Sequence, residues 1–348
     1  MEPPLALQTQ LEQLWLEQKP FVAFCLPQSD EVQLYYQEDN TLHTTMRLDD
    51  SGFALAPFDP ETPTYFIPNT LQKSFPIPKA QQQFPSEISL AETQLEKTAF
   101  VQLVQKALHT ITSGSFKKLV VSRKIEHQTS KSPVVVFMDL LGAYNEAMVY
   151  LWSHPRGGCW LGASPEKFLK KTGEGVQTEA LAGTQLHQST EAVVWKQKEI
   201  EEQQLVVEQI RQDLEPFFTA KEIKEHSPRT IRAGNLVHRS SLFELPKFQQ
   251  PLHLLAKALH PTPAVGGIPK VKAVEFIKKE EGYDRSFYTG YFGPVSKNEA
   301  HLFVNLRCAS YEAEIFRLYV GAGITAESQP EKEWEETQRK ALTLVKVL

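Results

Sequence analysis

The chain has 348 residues, 41% hydrophobic and 23% charged, which suits one large core or two lobes and is too short for three domains of usual size. Its formal net charge is −5 and its 37 Lys and Arg are scattered, which excludes the extended basic surface typical of nucleic-acid binding. It has no apolar run of about 18 residues and no basic segment followed by an apolar core at its start, so a soluble, cytoplasmic protein is expected.

The three cysteines do not predict a disulfide framework or a thiolate metal site. Cys25, Cys159 and Cys308 lie far apart and lack CxxC spacing. Zinc is not expected either, because no HxxxH pair and no His and Glu at suitable spacing occur. We expect the three thiols to be free and buried.

Hydrophobic periodicity predicts the elements of the first third of the chain. Residues 7–18 have the spacing of a short helix, and residues 21–55 alternate as strands do. Seven prolines then fall between Pro57 and Pro85. Because proline fixes φ and lacks a backbone donor, they predict an irregular surface connection, and a helix is expected to follow over residues 91–112.

Strands and helices alternate through the rest of the chain. The runs "KLVVSRKI", "PVVVFMDL", "AMVYLWS" and "GCWLGAS" are predicted to be strands, and helices are predicted over 190–217, 245–259 and 270–280. Two further strands, "HLFVNLRCA" and "IFRLYVGAG", precede a last helix at "QPEKEWEETQRK". This order predicts an α/β protein with a mixed sheet layered with helices.

The strand "KLVVSRKI" carries a lysine with two possible roles. In an extended strand, Lys118 shares one face with Val120 and Ser122. A lysine at the mouth of an apolar strand is most often a surface residue whose stem packs on the sheet. If it is buried instead, desolvation disfavours the ammonium and makes Lys118 a candidate general base.

Two further candidates follow Lys118 along the chain. Pro165 fixes a turn that places Glu166 at the entrance of a strand, where it is either a solvated turn residue or, in an apolar cleft, a protonated general acid. In "TEALAGT", the small residues Ala182 and Gly183 would let the backbone approach a ligand closely.

Two predicted helices carry acidic faces, and the carboxylates of the long helix could hold a hard metal ion. Glu199 and Glu202 lie on one face of the long helix, apart from its apolar stripe. In the last helix, Glu336 and Lys340 form an i,i+4 pair on a different stripe from Trp334, which is expected to face the core. Such helix faces are mostly solvated, but carboxylates that do bind metal would favour Mg²⁺, with substrate oxygens completing the octahedron.

The order of the motifs is more specific than any one of them. The series "KLVVSR", "GASPEKFL", "TEALAGT", "EIEEQQLVVEQI", "LHPTPAVGG", "FYTGYFGPV", "LFVNLRCA" and "LYVGAGITAESQPEKEWEETQRK" closely resembles the chorismate-utilising enzymes. That resemblance implies an α/β fold of two stacked antiparallel-rich β-sheets flanked by helices. Residues 1–90 would complete the sheets, and residues 91–348 would form the chorismate-binding catalytic portion of one structural domain.

The resemblance also implies a set of site residues. Glu202 and Glu336 would hold Mg²⁺, which in turn holds the ring carboxylate of chorismate, and Glu333 is a candidate contact through a metal-bound water. The residues implied to bind the substrate are Ala182, Gly183, His238, Thr262, Tyr288, Arg307, Gly321 and Lys340. The last three would receive the enolpyruvyl carboxylate, since a guanidinium, a backbone group and an ammonium supply the donors that a dianion needs.

The reaction depends on the nucleophile. Ammonia-using members of the family lack a lysine at the Lys118 position and generally have "PIAGT" or "PIKGT" where this chain has "ALAGT". The resemblance therefore implies water attack at C2 with Lys118 as general base, and Glu166 as the general acid for the departing C4 hydroxyl. The product would be isochorismate. A salicylate synthase, which goes on to eliminate pyruvate, and a non-catalytic chorismate-binding protein are the alternatives.

The pathway and the partners are implied only by overall likeness. Isochorismate feeds both menaquinone and siderophore biosynthesis, and likeness favours menaquinone. Chorismate and Mg²⁺ are the expected ligands, with no nucleic acid and no membrane. A monomer is expected, and an oligomer is left open.

Overall fold

A computed structural model of the chain describes residues 3–77, 90, 93–186, 193–233 and 236–348. Predictions that fall elsewhere, such as helix starts at 91 and at 190, lie outside these residues. Across the described ranges, no helix has both the length and the apolar character that a membrane span requires.

Seven helices lie within the described ranges, and several begin at recognisable signals. They are α1 (Pro3–Leu16), α2 (Gln94–Thr112), α3 (Pro133–Ala143), α4 (Gln197–Leu214), α5 (Leu252–Leu259), α6 (Lys270–Glu280) and α7 (Pro330–Val345). Thr93 and Glu96 form a capping box at the start of α2, and a proline opens both α3 and α7. The predicted helix over 270–280 is confirmed, whereas the one over 245–259 is confirmed only from Leu252 onward.

Nineteen strands are formed by the same described residues. They are β1 (Phe21–Cys25), β2 (Glu31–Tyr36), β3 (His43–Thr45), β4 (Gly52–Ala56), β5 (Thr64–Pro68), β6 (Leu71–Pro76), β7 (Lys118–Gln128), β8 (Met148–His154), β9 (Gly158–Ser164), β10 (Lys167–Lys171), β11 (Val176–Leu186), β12 (Lys224–Glu225), β13 (Arg229–Ala233), β14 (Leu236–Leu245), β15 (Gly267–Ile268), β16 (Tyr291–Val295), β17 (Ala300–Val304), β18 (Cys308–Glu312) and β19 (Ile315–Ile324).

The strands form two antiparallel sheets. The first sheet has the order β15-β7-β19-β18-β9-β8-β1-β2-β6. The second has the order β12-β14-β11-β10-β17-β16-β4-β5-β3, and β13 also pairs with β14. Strands from the first 77 residues lie in both sheets. The expected fold of two antiparallel-rich sheets flanked by helices is therefore confirmed.

An aromatic-rich layer packs between the two sheets. Phe24 and Trp152 reach it from the first sheet, and Phe53 and Phe292 from the second. Ring centroids of Tyr150 and Phe292 lie 4.2 Å apart across the layer. Helices α1, α3 and α7 cover the outer face of the first sheet, and α4 and α5 cover the second, so each sheet is buried on both faces.

The prediction of a strand at "PVVVFMDL" is wrong, because this run forms α3. Ser132 caps the helix, its hydroxyl accepting from the Val135 amide, and Pro133 occupies the first position. Val134, Phe137 and other apolar residues of the run are fully buried. A short run that is apolar on every side has no clear period, so the cap was the deciding signal.

The prediction of an irregular connection through the proline-rich segment is also wrong in part. Within it, β5 joins the second sheet and β6 forms an edge of the first. Pro68 and Pro76 each occupy the last position of their strand, where a missing backbone donor is tolerated. The segment therefore carries the chain from one sheet to the other. By contrast, the expectation of three free, buried thiols is confirmed.

Candidate active site

One cleft collects residues from both sheets and from helices α4 and α7. Its walls include, among others, Lys118, Val120, Glu166, Leu181, Ala182, Gly183, Lys198, Glu199, Glu202, His238, Val265, Tyr288, Thr289, Arg307, Tyr319, Gly321, Gly323, Glu336 and Lys340. Every site residue named from the sequence lines this cleft except Thr262 and Glu333. The structure thus brings together residues more than two hundred positions apart, such as Lys118 and Lys340, while their chemical roles stay predictions.

Lys118 lies at the floor of the cleft and is not a surface residue. Its side chain is 1% exposed, and its Nζ lies 2.9 Å from Glu202 Oε1 on α4. Strand alternation explains the placement: Val120 also lines the cleft, whereas Leu119 and Val121 face the core on the other side of β7. The amino group of Lys118 and the carboxyl group of Glu202 are therefore held as a close pair inside the cleft.

Glycine at position 323 leaves room for this pair. Gly323 lies on β19, which pairs with β7. A Cβ added there would lie 2.8 Å from Glu202 Oε1 and 3.3 Å from Lys118 Cε. Any side chain at this position would displace the carboxylate or the lysine stem.

Glu166 is held in the wall of the cleft by the turn between β9 and β10. The residue is 4% exposed, and its carbonyl accepts a hydrogen bond from the Val304 amide, 2.9 Å long. Burial raises the pKa of Glu166 to about 8, although Lys118 lowers it, and the charge of Glu179 raises it further. Near neutral pH its carboxyl group therefore keeps a proton and can donate it.

A second lysine–carboxylate pair comes from α7. Lys340 Nζ lies 2.6 Å from Glu336 Oε1 and donates to the Gly321 carbonyl at 2.9 Å. Burial favours the neutral acid, but the charge and hydrogen bond of Lys340, together with the charges of Lys198 and Arg307, lower the pKa of Glu336. Glu336 is therefore an ionised oxygen donor in the cleft.

Lys198 is a cleft residue that the sequence reasoning missed. Its Nζ lies 3.4 Å from Glu333 Oε1, so it links the first turn of α4 to α7. The Glu333 side chain is only 4% exposed and lies behind the cleft wall. One signal could have found Lys198: it precedes Glu202 by four residues and so shares its face of the helix.

Arg307 and His238 face the part of the cleft near Glu336. Arg307 lies between β17 and β18 with a φ of 48°, a left-handed conformation that is uncommon for a residue with a side chain. Burial lowers the pKa of His238 to about 3, with Arg307 and Lys340 lowering it further. His238 is therefore neutral near pH 7, with one ring nitrogen as donor and the other as acceptor.

The glycine of "TEALAGT" marks a close approach between β11 and α4. Gly183 has a φ of +72°, and the pairing of β11 with β14 shifts by one residue next to it. A Cβ there would lie 2.9 Å from the Glu199 carbonyl oxygen. This bulge lets the backbone of Ala182 and Gly183 line the cleft beside the first turn of α4.

Tyr288 and Thr262 occupy different positions relative to the cleft. Tyr288 lines it and stacks on Tyr319, with ring centroids 5.5 Å apart. Thr262 is 5% exposed and lies behind the wall, where its carbonyl accepts from the amides of Val265 and Gly266. Among the described residues, no hydrogen-bond partner of the Thr262 hydroxyl is found. Its predicted contact with the substrate stays a prediction.

A buried arginine that no motif pointed to holds one wall of the cleft. Arg285 donates from Nη2 to the Val120 carbonyl and from Nη1 to the Val265 carbonyl, each at 2.8 Å. It also pairs with Glu281, whose carboxylate accepts from the Ser122 amide at 2.7 Å. Because Val120 and Val265 line the cleft, this ion pair fixes the wall that carries Lys118.

The carboxylates of the cleft fit a hard divalent ion that is completed by other ligands. The described residues contain no group of three or more His, Cys, Asp or Glu that could hold a metal without help. Mg²⁺ commonly takes only one or two protein carboxylates and keeps waters or substrate oxygens for the rest. Glu202 and Glu336, both oxygen donors in the cleft, match that requirement.

Comparisons with known proteins point to one family. The sequence model of the family described as "Chorismate binding enzyme" matches residues 58–348. The chain is 31% identical over 259 residues to isochorismate synthase MenF of Escherichia coli K12, covering 72% of this chain and 60% of that relative. It is 32% identical over 312 residues to isochorismate synthase EntC of the same organism, covering 84% of this chain and 79% of that protein. The chain thus spans about three fifths of the length of the MenF relative.

Solved structures share the fold of the chain. The 2,3-dihydroxybenzoate-specific isochorismate synthase DhbC from Bacillus anthracis, described there as putative, superposes with a TM-score of 0.80 at 24% identity, over 98% of this chain and 99% of that one. The menaquinone-specific MenF from Escherichia coli gives a TM-score of 0.79 at 24% identity, over 94% and 88%. These matches agree with the two-sheet architecture. By the family model and by its relatives, the chain belongs to the chorismate binding enzymes.

Proposed function

We propose that the chain is an isochorismate synthase, an isomerase that converts chorismate to isochorismate with Mg²⁺. The observation that carries the proposal is that Lys118 and Glu166, a buried amine and a buried protonated carboxyl, line one cleft. Similarity to isochorismate synthases of about 30% identity supports the choice of reaction. A base and an acid on the two sides of a ring can add water at one carbon and remove a hydroxyl at another.

The chain's own residues perform both proton transfers. Lys118 takes a proton from the water that attacks C2, and Glu202 at 2.9 Å stabilises the ammonium that forms. Glu166 donates its proton to the C4 hydroxyl, which leaves as water while the double bonds shift. The proton that Lys118 gains matches the one that Glu166 loses, so the ring is isomerised without net change in composition.

The remaining residues hold the dianionic substrate. Arg307 and Lys340 supply positive charge for the enolpyruvyl carboxylate, close to the Gly321 backbone. Glu202 and Glu336 would hold Mg²⁺, and when bound the ion supplies positive charge for the ring carboxylate. Both carboxylates lie beside lysines in the cleft, and these close ion pairs support their proposed role as oxygen donors to a cation.

The experiment that tests the proposal is incubation of the pure protein with chorismate, followed by product identification. We expect isochorismate with Mg²⁺, and loss of nearly all product with excess EDTA that is restored by added Mg²⁺. Chromatography with standards for chorismate, isochorismate, salicylate and pyruvate measures the outcome. Salicylate with pyruvate would identify a salicylate synthase instead, and binding without turnover would identify a binding protein.

Gly323→Ala should impair the reaction without unfolding the protein. The added methyl group would push Glu202 away from Lys118, and displacements of about 1 Å at a catalytic group can cost on the order of 10²-fold in rate. We therefore expect kcat to fall by roughly 10–10²-fold, measured from initial rates of isochorismate formation. Gly173→Ala is the matched control, because a Cβ there meets no atom within 4 Å. Equal rates for the two variants would contradict the role of Gly323.

Menaquinone biosynthesis is our proposed pathway, on similarity to MenF, with siderophore biosynthesis as the alternative on similarity to EntC. Deleting the gene and testing whether menaquinone or a siderophore is lost would separate the two. Cytoplasmic localisation and the monomeric state stay predictions from the sequence.

A further inference from the structure

The buried carboxylate of Glu179 lies outside the cleft, beyond the residues that line it. The Glu179 side chain on β11 is 4% exposed, and Arg229 Nη2 on β13 lies 2.7 Å from its Oε1. The Arg229 side chain itself is 55% exposed. Because an unpaired buried carboxylate is costly, this guanidinium at the surface stabilises the charge of Glu179 inside the protein.

The strand pairing places Glu179 on the Glu166 side of the cleft. Alternation puts Glu179 and Leu181 on one face of β11, and Leu181 lines the cleft. Strand β10 begins directly after Glu166 and pairs antiparallel with β11. The Thr178 hydroxyl donates to the Phe168 carbonyl at 2.7 Å, which fixes the two strands at this point.

Ionisable side chains from four parts of the fold affect the pKa of Glu166. Lys118 on β7, Lys340 on α7 and Arg307 between β17 and β18 all favour its carboxylate form. Glu179 on β11 is the charged group that opposes them, in addition to burial, which has the largest effect. These three basic side chains lower the pKa of Glu166, so burial and Glu179 both act against them to keep the proton on its carboxyl group.

We propose that Glu179 is a positioning residue for the proton of Glu166. Its buried carboxylate, anchored by Arg229, offsets the cations of the cleft and keeps Glu166 in the acid form that the reaction consumes. The inference rests on the proposed function, in which Glu166 is the general acid. Glu179 is not among the residues that line the cleft, and in the proposal it makes or breaks no bond itself.

The test is the pH profile of Glu179→Gln. Removing the negative charge lowers the proton affinity of Glu166, so the acid form should be lost at lower pH. In a plot of kcat against pH, we expect the alkaline limb, where kcat falls, to shift to lower pH by on the order of one unit, which is a tenfold change in proton affinity. The KM for chorismate should stay within about twofold of its original value. An unmoved limb in a folded variant, or a limb moved to higher pH, would overturn the proposal.

Two matched variants separate charge from structure. Glu179→Asp keeps the charge and should keep the limb within a few tenths of a unit of the unmodified protein. Glu174→Gln removes an exposed carboxylate from the turn between β10 and β11 and should leave the limb in place. If Glu179→Gln does not fold, Glu179→Met removes the same charge at similar volume and is expected to move the limb in the same direction.

A direct measurement tests the inference without turnover. In protein labelled with ¹³C at Glu carboxyl groups, the signal absent from Glu166→Gln reports the titration of Glu166. We expect its midpoint to fall in Glu179→Gln, with no substrate present. If the protein makes no isochorismate but the Glu166 midpoint falls in Glu179→Gln, the proposed function is refuted and the effect of Glu179 on Glu166 stands. If the protein makes isochorismate normally but the midpoint does not move, the proposed function stands and the inference about Glu179 is refuted.

Discussion

Lys118→Ala should reduce isochorismate formation by about 10²–10⁴-fold, the usual contribution of a positioned general base. The variant keeps the cleft but has no group that can take the proton from the attacking water. Initial rates with chorismate and Mg²⁺, measured by chromatography, give the effect. Because Glu202 and Glu336 are unchanged, Mg²⁺ binding measured by titration calorimetry should survive.

The neighbouring lysine provides the control for this variant. Lys117 precedes Lys118 and is exposed, so Lys117→Ala should keep both rate and thermal stability. A rate near that of the unmodified protein in Lys118→Ala would refute its assignment as base. If chorismate is left unconverted both with and without Lys118, the result would favour a non-catalytic chorismate-binding protein.

Glu166→Gln should have an effect of similar size, because the amide cannot donate a proton to the departing hydroxyl. We expect a loss of about 10²–10⁴-fold in kcat, with chorismate still bound. Glu174→Gln, at an exposed turn, is the control and should be fully active. Near-normal turnover in a folded Glu166→Gln would remove Glu166 from the mechanism.

The raised pKa of Glu166 also fixes the direction of the pH effects. The acid form is lost as pH rises through about 8, so kcat of the unmodified protein should fall there. The folded state binds this proton more tightly than the unfolded state, so its stabilising effect is complete below 4.5 and is lost as pH rises to about 8. The free energy of unfolding should therefore fall, over that window, relative to Glu166→Gln, as measured by denaturant titration.

Much of the fold could be predicted from local patterns, and its errors have local causes. The strands at "KLVVSRKI" and "IFRLYVGAG" are confirmed, because regular apolar runs bounded by polar residues hold a clear period. A strand is predicted where α3 forms because its apolar run has no clear helical period, most of its residues being buried. Strands β5 and β6, which lie in different sheets, are not predicted because prolines at strand ends look like prolines in loops.

Sequence motifs predict most of the residues that line the cleft, but they do not predict the residues that hold its walls in place. Lys118 and Glu202 sit in motifs, so they could be paired with a function before any contact was known. Lys198, Arg285 and Glu179 act through partners far away in the chain, which are Glu333, Val120 and Arg229 respectively. No spacing rule within one helix or strand can show such pairings, which arise only when sheets and helices pack.

The ladder between β7 and β19 has a consequence for how the protein is made. Leu119 pairs with Ile324, and Gln128 pairs with Ile315. The strand that bears Lys118 therefore pairs with residues that are synthesised about two hundred positions later. Contacts of such long range slow folding, because a large loop must close before they are gained. A ribosome must therefore pass Ile324 before the floor of the cleft can form, and until then the edge of β7 stays open to chaperones or to misassembly.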